Sequence, residues 1–311
     1  MAQEILQVSP LPPFMMNALQ EADYIVHDHT HIKDPGALSK VTAIVGTGAA
    51  KVDKKLLAML PHLKLIAICG VGYDGVDVTA AIEKGIVVTH TPGVLTDDVA
   101  DLAMGLVLSI GRRLPQADKF VRNGDWVDDV FALTHKVSGA RLGIVGMGRI
   151  GRAIAKRAAA FDMRISYTGR EPKADVSYTF YKTAIALAAE VDYLVVAVPG
   201  GDDTKNLIDA RLLEALGSKG YLINIARGSV VDQPALVQAL KDKTIAGAAL
   251  DVYWDEPIID PELRRLPNVV LTPHIASATV ETRQAMAALT LENLQAFFDG
   301  RVLPTPVPEC Q

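Results

Sequence analysis

The chain lacks the marks of a secreted, membrane-spanning or nucleic-acid-binding protein. It has two cysteines, Cys69 and Cys310, in 311 residues. That is too few for a disulfide framework, and a reducing compartment is expected. No apolar run approaches the roughly 18 residues of a membrane span. The first residues carry neither the basic nor the apolar segment of a secretory leader, so a cytoplasmic globular protein is expected. No basic stripe or Lys/Arg tract is present and the net charge is −5, which argues against a nucleic-acid partner. Low-complexity segments are missing too. Histidine gives no metal cluster: His27, His29 and His31 alternate near a strand end with no cysteine nearby, and read as solvated loop residues. His62, His90 and His135 join no constellation and read as surface or packing residues.

What is present is ordinary for a soluble α/β protein. Half the residues are hydrophobic and 22 % are charged, and the length suits two domains, each able to bury a core. Short apolar runs near residues 4–9, 24–28, 43–45, 65–69 and 86–89 alternate with helical segments. The alternation predicts a parallel sheet covered on both faces. A long helix follows over 97–112, with Thr96 a candidate N-cap and Asp97 and Asp98 in its first turn. Residues 124–138 read as loop. A second series begins at Arg141, with strands expected near 141–145, 163–168, 193–198, 221–226, 246–252 and 268–272, then a last helix over 280–300. The fold class is therefore α/β, with two doubly wound parallel-sheet domains. The larger is a Rossmann domain over 96–284; the smaller, flavodoxin-like, spans 1–95 and is completed by 285–311.

The second series opens on the run from Arg141 to Gly151, a strand that breaks into Gly146-Met147-Gly148-Arg149-Ile150-Gly151 and then a helix. Strand, Gly-x-Gly-x-x-Gly turn and helix N-terminus together fit a dinucleotide pyrophosphate. Gly146 permits the turn, Gly148 lets the backbone approach the phosphates, and Gly151 lets the helix pack on the strand. Arg149 fits either a phosphate or water. About 20 residues on, an acid at the end of the second strand would bind the ribose 2′-hydroxyl of NAD. Here Thr168 is followed by Gly169 and Arg170. Losing the anion and gaining a cation suits the 2′-phosphate of NADP(H), helped by Thr168 and Lys173. NAD(H) stays open as the alternative, because Glu171 comes next.

Three further residues share one place in the pattern. Arg227 follows the strand over 221–226, Glu256 lies shortly after that over 246–252, and His274 closes that over 268–272. Ligands of open parallel sheets bind beyond the carboxyl ends of the strands, so these three and the glycine turn should face one cleft.

Ile225-Ala226-Arg227-Gly228, Leu250-Asp251-Val252 with Asp255-Glu256-Pro257, and Thr272-Pro273-His274-Ile275 resemble the three signatures of the D-2-hydroxyacid dehydrogenases. Cys69-Gly70-Val71-Gly72-Tyr73-Asp74 resembles that family's substrate-carboxylate loop, and Thr96 to Asp101 the start of its interdomain helix. The resemblance covers essentially the whole chain. It implies that Arg227 holds the substrate carboxylate or carbonyl, that His274 is the general acid, and that Glu256 pairs with His274 and favours its charged form. It implies carboxylate binding by the N–H groups of Val71 and Gly72, a pocket shaped in part by Thr47, and a nicotinamide amide oriented by Asp251. Thr96, Ile150, Val198 and Ala226 complete the expected cofactor contacts. Thr-Gly-Arg over 168–170 also looks like the glyoxylate/hydroxypyruvate reductase branch, implying reduction of small 2-keto acids. Bulkier acids such as phenylpyruvate are the alternative, and a dinucleotide-sensing binding module of the same fold is the rival from another class. A homodimer is implied, in which Trp126 fits either a reach into the neighbouring active site or local packing.

Overall fold

The computed structural model describes residues 3–28, 38–48 and 50–311. His29 and His31 of the alternating histidine run lie outside them. The chain divides into two units, Met1–Leu95 with Ala278–Gln311, and Thr96–Ser277. It returns to the first unit at the start of the last long helix, and not within that helix as the boundary at 284/285 supposed.

The first unit is built on β1 (Glu4–Gln7), β2 (Ile25–Asp28), β3 (Ala43–Thr47), β4 (Leu65–Cys69) and β5 (Val87–Thr89), all parallel and ordered β2-β1-β3-β4-β5. This is the flavodoxin-like order. β4 (Leu-Ile-Ala-Ile-Cys) is buried at every residue, as a central strand covered on both faces requires. Helices α1 (Pro13–Glu21), α2 (Lys54–Ala58) and α3 (Val78–Glu83) lie between the strands. The last two start on aspartates, Asp53 and Asp77, whose side chains accept from Leu56 and Ala80 N–H.

The second unit opens with α4 (Thr96–Arg112) and α5 (Leu114–Arg122). Its sheet holds β6 (Arg141–Val145), β7 (Arg164–Thr168), β8 (Thr179–Tyr181), β9 (Tyr193–Val196), β10 (Tyr221–Asn224), β11 (Gly247–Leu250) and β12 (Val269–Leu271). All are parallel, in the order β12-β11-β10-β9-β6-β7-β8. From β8 inward this is the doubly wound dinucleotide-binding order extended by one strand. Six strands are expected from the sequence and seven are present. The missed one, β8, is a three-residue edge strand with no fully buried residue, too short to show a period. α5 also gives no core signal, since it buries no residue.

α6 (Arg149–Ala159), α7 (Ala184–Ala188), α8 (Ala210–Leu216), α9 (Gln233–Lys241) and α10 (Pro261–Arg265) link the strands. Leu187, Leu194, Val196, Leu213, Leu222, Leu236, Leu240 and Leu250 form the core between the sheet and one helical layer. Each such side chain fully buried stabilises the fold by about 1.5–3 kcal/mol before ordering costs. On the other side, Arg157 of α6 bridges to Asp97 and Asp101, fixing the start of α4 beside the helix of the glycine turn. α11 (Val280–Phe298) belongs to the first unit, capped by Thr279.

Candidate active site

β6 and β9 are neighbours in the sheet although β7 and β8 separate them in sequence, so the strand order reverses after β6. Ligands of this architecture bind at such a reversal, and the glycine turn sits there. Gly146 has φ +102°, and a Cβ on it would lie 2.6 Å from the Ala197 carbonyl oxygen and 2.9 Å from Val198. A Cβ on Gly151 would lie 2.1 Å from the Gly146 carbonyl oxygen, which welds α6 to the turn. Gly148 differs: a Cβ there would meet no protein atom within 4 Å, so packing is not what calls for glycine. Gly148 caps α6 with no side-chain acceptor, and it and Arg149 are exposed, with Ile150 half-buried. An 11-residue helix presenting free N–H groups at such a turn fits a pyrophosphate.

β7 ends at Thr168, paired with Val145 at the end of β6, so Gly169 and Arg170 are the first residues past the strand. Thr168 is buried, while Arg170 and Lys173 are exposed. The Arg170 guanidinium lies 3.4 Å from Asp203, both side chains more than four-fifths exposed, an arrangement worth little in water.

At the carboxyl end of β10, Asn224 builds the turn that carries Arg227. Buried at 1 % exposure, it donates from Nδ2 to the Arg227 carbonyl (2.9 Å) and accepts from Ala226 N–H (3.0 Å). Ala226 is buried and Arg227 partly exposed. Gly228 follows, where a Cβ would come within 2.0 Å of the Tyr253 carbonyl, so the Arg227 turn lies directly on the segment leading to Glu256.

Glu256 spans the gap between two strand ends. Its Oε1 accepts from Tyr253 N–H (2.9 Å), and its Oε2 lies 2.6 Å from His274 Nδ1. Burial opposes ionisation of Glu256. The His274 hydrogen bond and charge, the Tyr253 N–H and the nearby Arg227 outweigh it, and hold the carboxyl below the usual glutamate range. Gly228, next to Arg227, lies against Tyr253, whose N–H binds Glu256, so the Arg227 turn borders the pair. The His274 side chain is 46 % exposed, so this is no satisfied core histidine.

Asp251, expected to orient the nicotinamide amide, has protein partners of its own at the end of β11. It is completely buried, and its oxygens accept from the Thr272 hydroxyl (2.6 Å) and from Ile275 and Ala276 N–H (both 2.9 Å). Its own carbonyl accepts from His274 N–H (3.0 Å). What Asp251 orients here is the segment bearing His274. Tyr253 adds to this, its hydroxyl lying 3.0 Å from the Leu250 carbonyl and 2.9 Å from that of Thr272. Sequence reasoning does not find Asn224, Thr272 and Tyr253; Asn224 and Thr272 show only as polar residues at the ends of apolar strands, and Tyr253 not at all.

In the first unit, Thr47 closes β3, with its hydroxyl 3.1 Å from that of Ser9, and lies beside Cys69 at the end of β4. Val71 and Gly72 follow β4 and are partly exposed. His27 pairs with Glu4 at 3.0 Å, and no group of metal-binding character occurs among the described residues. A cavity of about 440 Å³ is lined by Arg141, Arg164 and Thr179, at the opening ends of β6, β7 and β8, away from the groups just described. No helix among the described residues is long and apolar enough to cross a membrane.

The profile of the D-isomer specific 2-hydroxyacid dehydrogenase NAD-binding domain matches residues 104–276. Glyoxylate/hydroxypyruvate reductase A of Arabidopsis thaliana is 45 % identical over 307 residues, 97 % of this chain and 98 % of that protein. Hydroxyphenylpyruvate reductase of Plectranthus scutellarioides is 49 % identical over 267 residues, 86 % of this chain and 85 % of that protein. An NADPH-dependent glyoxylate/hydroxypyruvate reductase of Sinorhizobium meliloti, solved with NADP and malonate, superimposes with a TM-score of 0.92 at 42 % identity, covering 100 % of this chain and 98 % of that one. With the glycine turn at the strand-order reversal and His274, Glu256 and Arg227 gathered at neighbouring strand ends, the chain belongs to the D-isomer specific 2-hydroxyacid dehydrogenases.

Proposed function

We propose that the protein reduces small 2-keto acids, glyoxylate and hydroxypyruvate, to D-2-hydroxy acids, with NADPH as preferred hydride donor. The observation that carries this is the His274–Glu256 pair at 2.6 Å, with the Arg227 turn packed on the segment that leads to Glu256, at the strand ends of a dinucleotide-binding sheet. Glu256 occupies Nδ1 of His274, which leaves Nε2 to hold and deliver the proton to the substrate carbonyl oxygen. Arg227, with its planar fork of donors, binds the substrate carboxylate or carbonyl in a geometry lysine would not reproduce. The N–H groups of Val71 and Gly72 receive the carboxylate, and Thr47 contributes to substrate binding. A bound nicotinamide dinucleotide supplies the hydride.

Gly146, Gly148, Arg149, Ile150 and Gly151 hold the pyrophosphate, with Thr96, Val198, Ala226 and Asp251 bordering the cofactor. Arg170, backed by Thr168, Gly169 and Lys173, receives a 2′-phosphate; the weak pair with Asp203 does not compete with a doubly charged ligand. The names of the Arabidopsis and Sinorhizobium relatives support this reading. The two cysteines are free thiols, which suits the reducing cytoplasm.

The protein acts as a homodimer through the segment that follows α4. That segment exposes Leu114, Val121, Trp126, Val127, Val130 and Leu133, the last at 99 %. Trp126 is 69 % exposed in the single chain, which supports the reach toward a neighbouring subunit over local packing.

The test is oxidation of NADPH and of NADH by the purified protein with glyoxylate, hydroxypyruvate, pyruvate and phenylpyruvate. Faster turnover of the two small acids with NADPH is expected. Preference for phenylpyruvate would transfer the protein to the hydroxyphenylpyruvate type. Tight cofactor binding with no turnover would leave a binding module.

A further inference from the structure

We infer that His90 is a positioning residue for substrate binding, whose ring sets the direction of the main-chain N–H groups of Val71 and Gly72. The inference rests on the reading of those two amides given above, and concerns what holds them.

β4 stops at Cys69, and the chain continues through Gly70, Val71 and Gly72 without regular structure. Two successive carbonyls of this stretch are tied to the end of β5. The Gly70 carbonyl accepts from Thr91 N–H (2.9 Å), and the Val71 carbonyl from His90 Nδ1 (3.0 Å). A carbonyl only accepts, so Nδ1 carries the proton. In a trans peptide the C=O and N–H point in opposite directions. Turning the Gly70 and Val71 carbonyls toward residues 90 and 91 therefore turns the N–H groups of Val71 and Gly72 away from them, side by side. Neither N–H finds a backbone acceptor among the described residues. Adjacent amides so directed form an anion-binding concavity.

His90 is itself held on several sides. It is 8 % exposed, and its ring meets Tyr73 edge-on at 5.3 Å and 87°. Its N–H donates to the Thr305 carbonyl (3.1 Å), and its carbonyl accepts from the Thr305 hydroxyl (2.6 Å). Thr305 is bound in turn by Asn293, a completely buried residue of α11, at 2.8 and 3.1 Å. Tyr73 donates to Glu309 at 3.0 Å. The C-terminal segment thus braces the loop from behind. The hydrogen bond from His90 also polarises the amide whose N–H, on Gly72, meets the anion, and such linked bonds strengthen one another. This corrects the reading of His90 as a residue without a constellation.

The test compares His90→Phe, which keeps a ring but cannot donate, with His90→Asn, whose amide nitrogen can take the place of Nδ1. In H90F the KM for glyoxylate and the inhibition constant of oxamate should both rise about tenfold, as expected for losing one oriented bond to a charged ligand, with NADPH affinity unchanged and kcat within about threefold. H90N should restore most of the loss. A folded H90F with wild-type KM and oxamate inhibition overturns the inference. So does a loss confined to kcat, or an equal defect in H90N, which would indicate a merely structural role. If H90F does not fold, Thr305→Val, which removes the hydroxyl on the His90 carbonyl, must raise KM in the same sense, and an unchanged KM overturns the inference. An unmodified protein that turns over no 2-keto acid would instead count against the proposed function.

Discussion

His274 and Glu256 sit 18 residues apart in sequence and 2.6 Å apart in space, and His274 reaches Glu256 from a left-handed backbone conformation, φ 52°. For a residue with a Cβ that conformation costs on the order of 1–3 kcal/mol. The His274 N–H, bonded to the Asp251 and Thr272 carbonyls, holds it there. Replacing His274 by Gln removes the proton donor and should lower kcat about 10²–10⁴-fold. NADPH binding followed by fluorescence should be unchanged, which separates loss of chemistry from loss of the cofactor site.

Glu256 ties stability to pH. Its carboxyl is held below the usual range, so the folded state binds its proton less readily than the unfolded state does. The stability it contributes is complete above the ordinary glutamate value, about 4.3, and is lost as pH falls through the lower folded value. The pair of Asp192 with Arg141 acts in the same direction: burial opposes its ionisation, but the Arg141 hydrogen bonds and charge hold Asp192 low. Urea midpoints measured from pH 6 to pH 3 should fall for the unmodified protein and fall less steeply for Glu256→Gln.

Asp251→Asn keeps the shape of a fully buried side chain but replaces one acceptor oxygen by a donor, opposite either the Thr272 hydroxyl and Ile275 N–H or the Ala276 N–H. A donor facing a donor should cost about 2–3 kcal/mol in urea unfolding. The same change should lower kcat, because those bonds place His274. Full stability with reduced cofactor affinity would confine Asp251 to a role toward nicotinamide.

Arg170→Ala should raise the KM for NADPH about tenfold or more and leave that for NADH nearly unchanged, since only one cofactor carries the 2′-phosphate. Adding Gly169→Asp should reverse the preference, by restoring the acid that binds a ribose 2′-hydroxyl. Equal effects on both cofactors would place Arg170 outside the 2′-phosphate site.

The exposed apolar residues after α4 predict the assembly state. Sedimentation of the unmodified protein should give a dimer, and Val130→Glu with Leu133→Glu should give a monomer, because the change places charge on side chains 84 % and 99 % exposed in the single chain. A dimer that survives both changes would place the interface elsewhere.

Much of this protein is legible in its sequence because the relevant signals are local. Four- and five-residue apolar runs become strands buried on both faces, and the Gly146–Gly151 turn reads directly as a strand-to-helix junction. The rule that ligands lie beyond the carboxyl ends of parallel strands gathers Arg227, Glu256 and His274 without any coordinates. Only the tertiary structure adds β8, because an edge strand shows too little burial to mark itself. Only it gives Asp251 and His90 their partners. Each shows in sequence as one polar residue at a strand end, and its partners lie far along the chain, Thr272 and Ala276 for Asp251, Val71 and Thr305 for His90. A hydrogen bond across 215 residues, as between Thr305 and His90, leaves no period in the sequence, since what selects both residues is a meeting that exists only once the chain has folded.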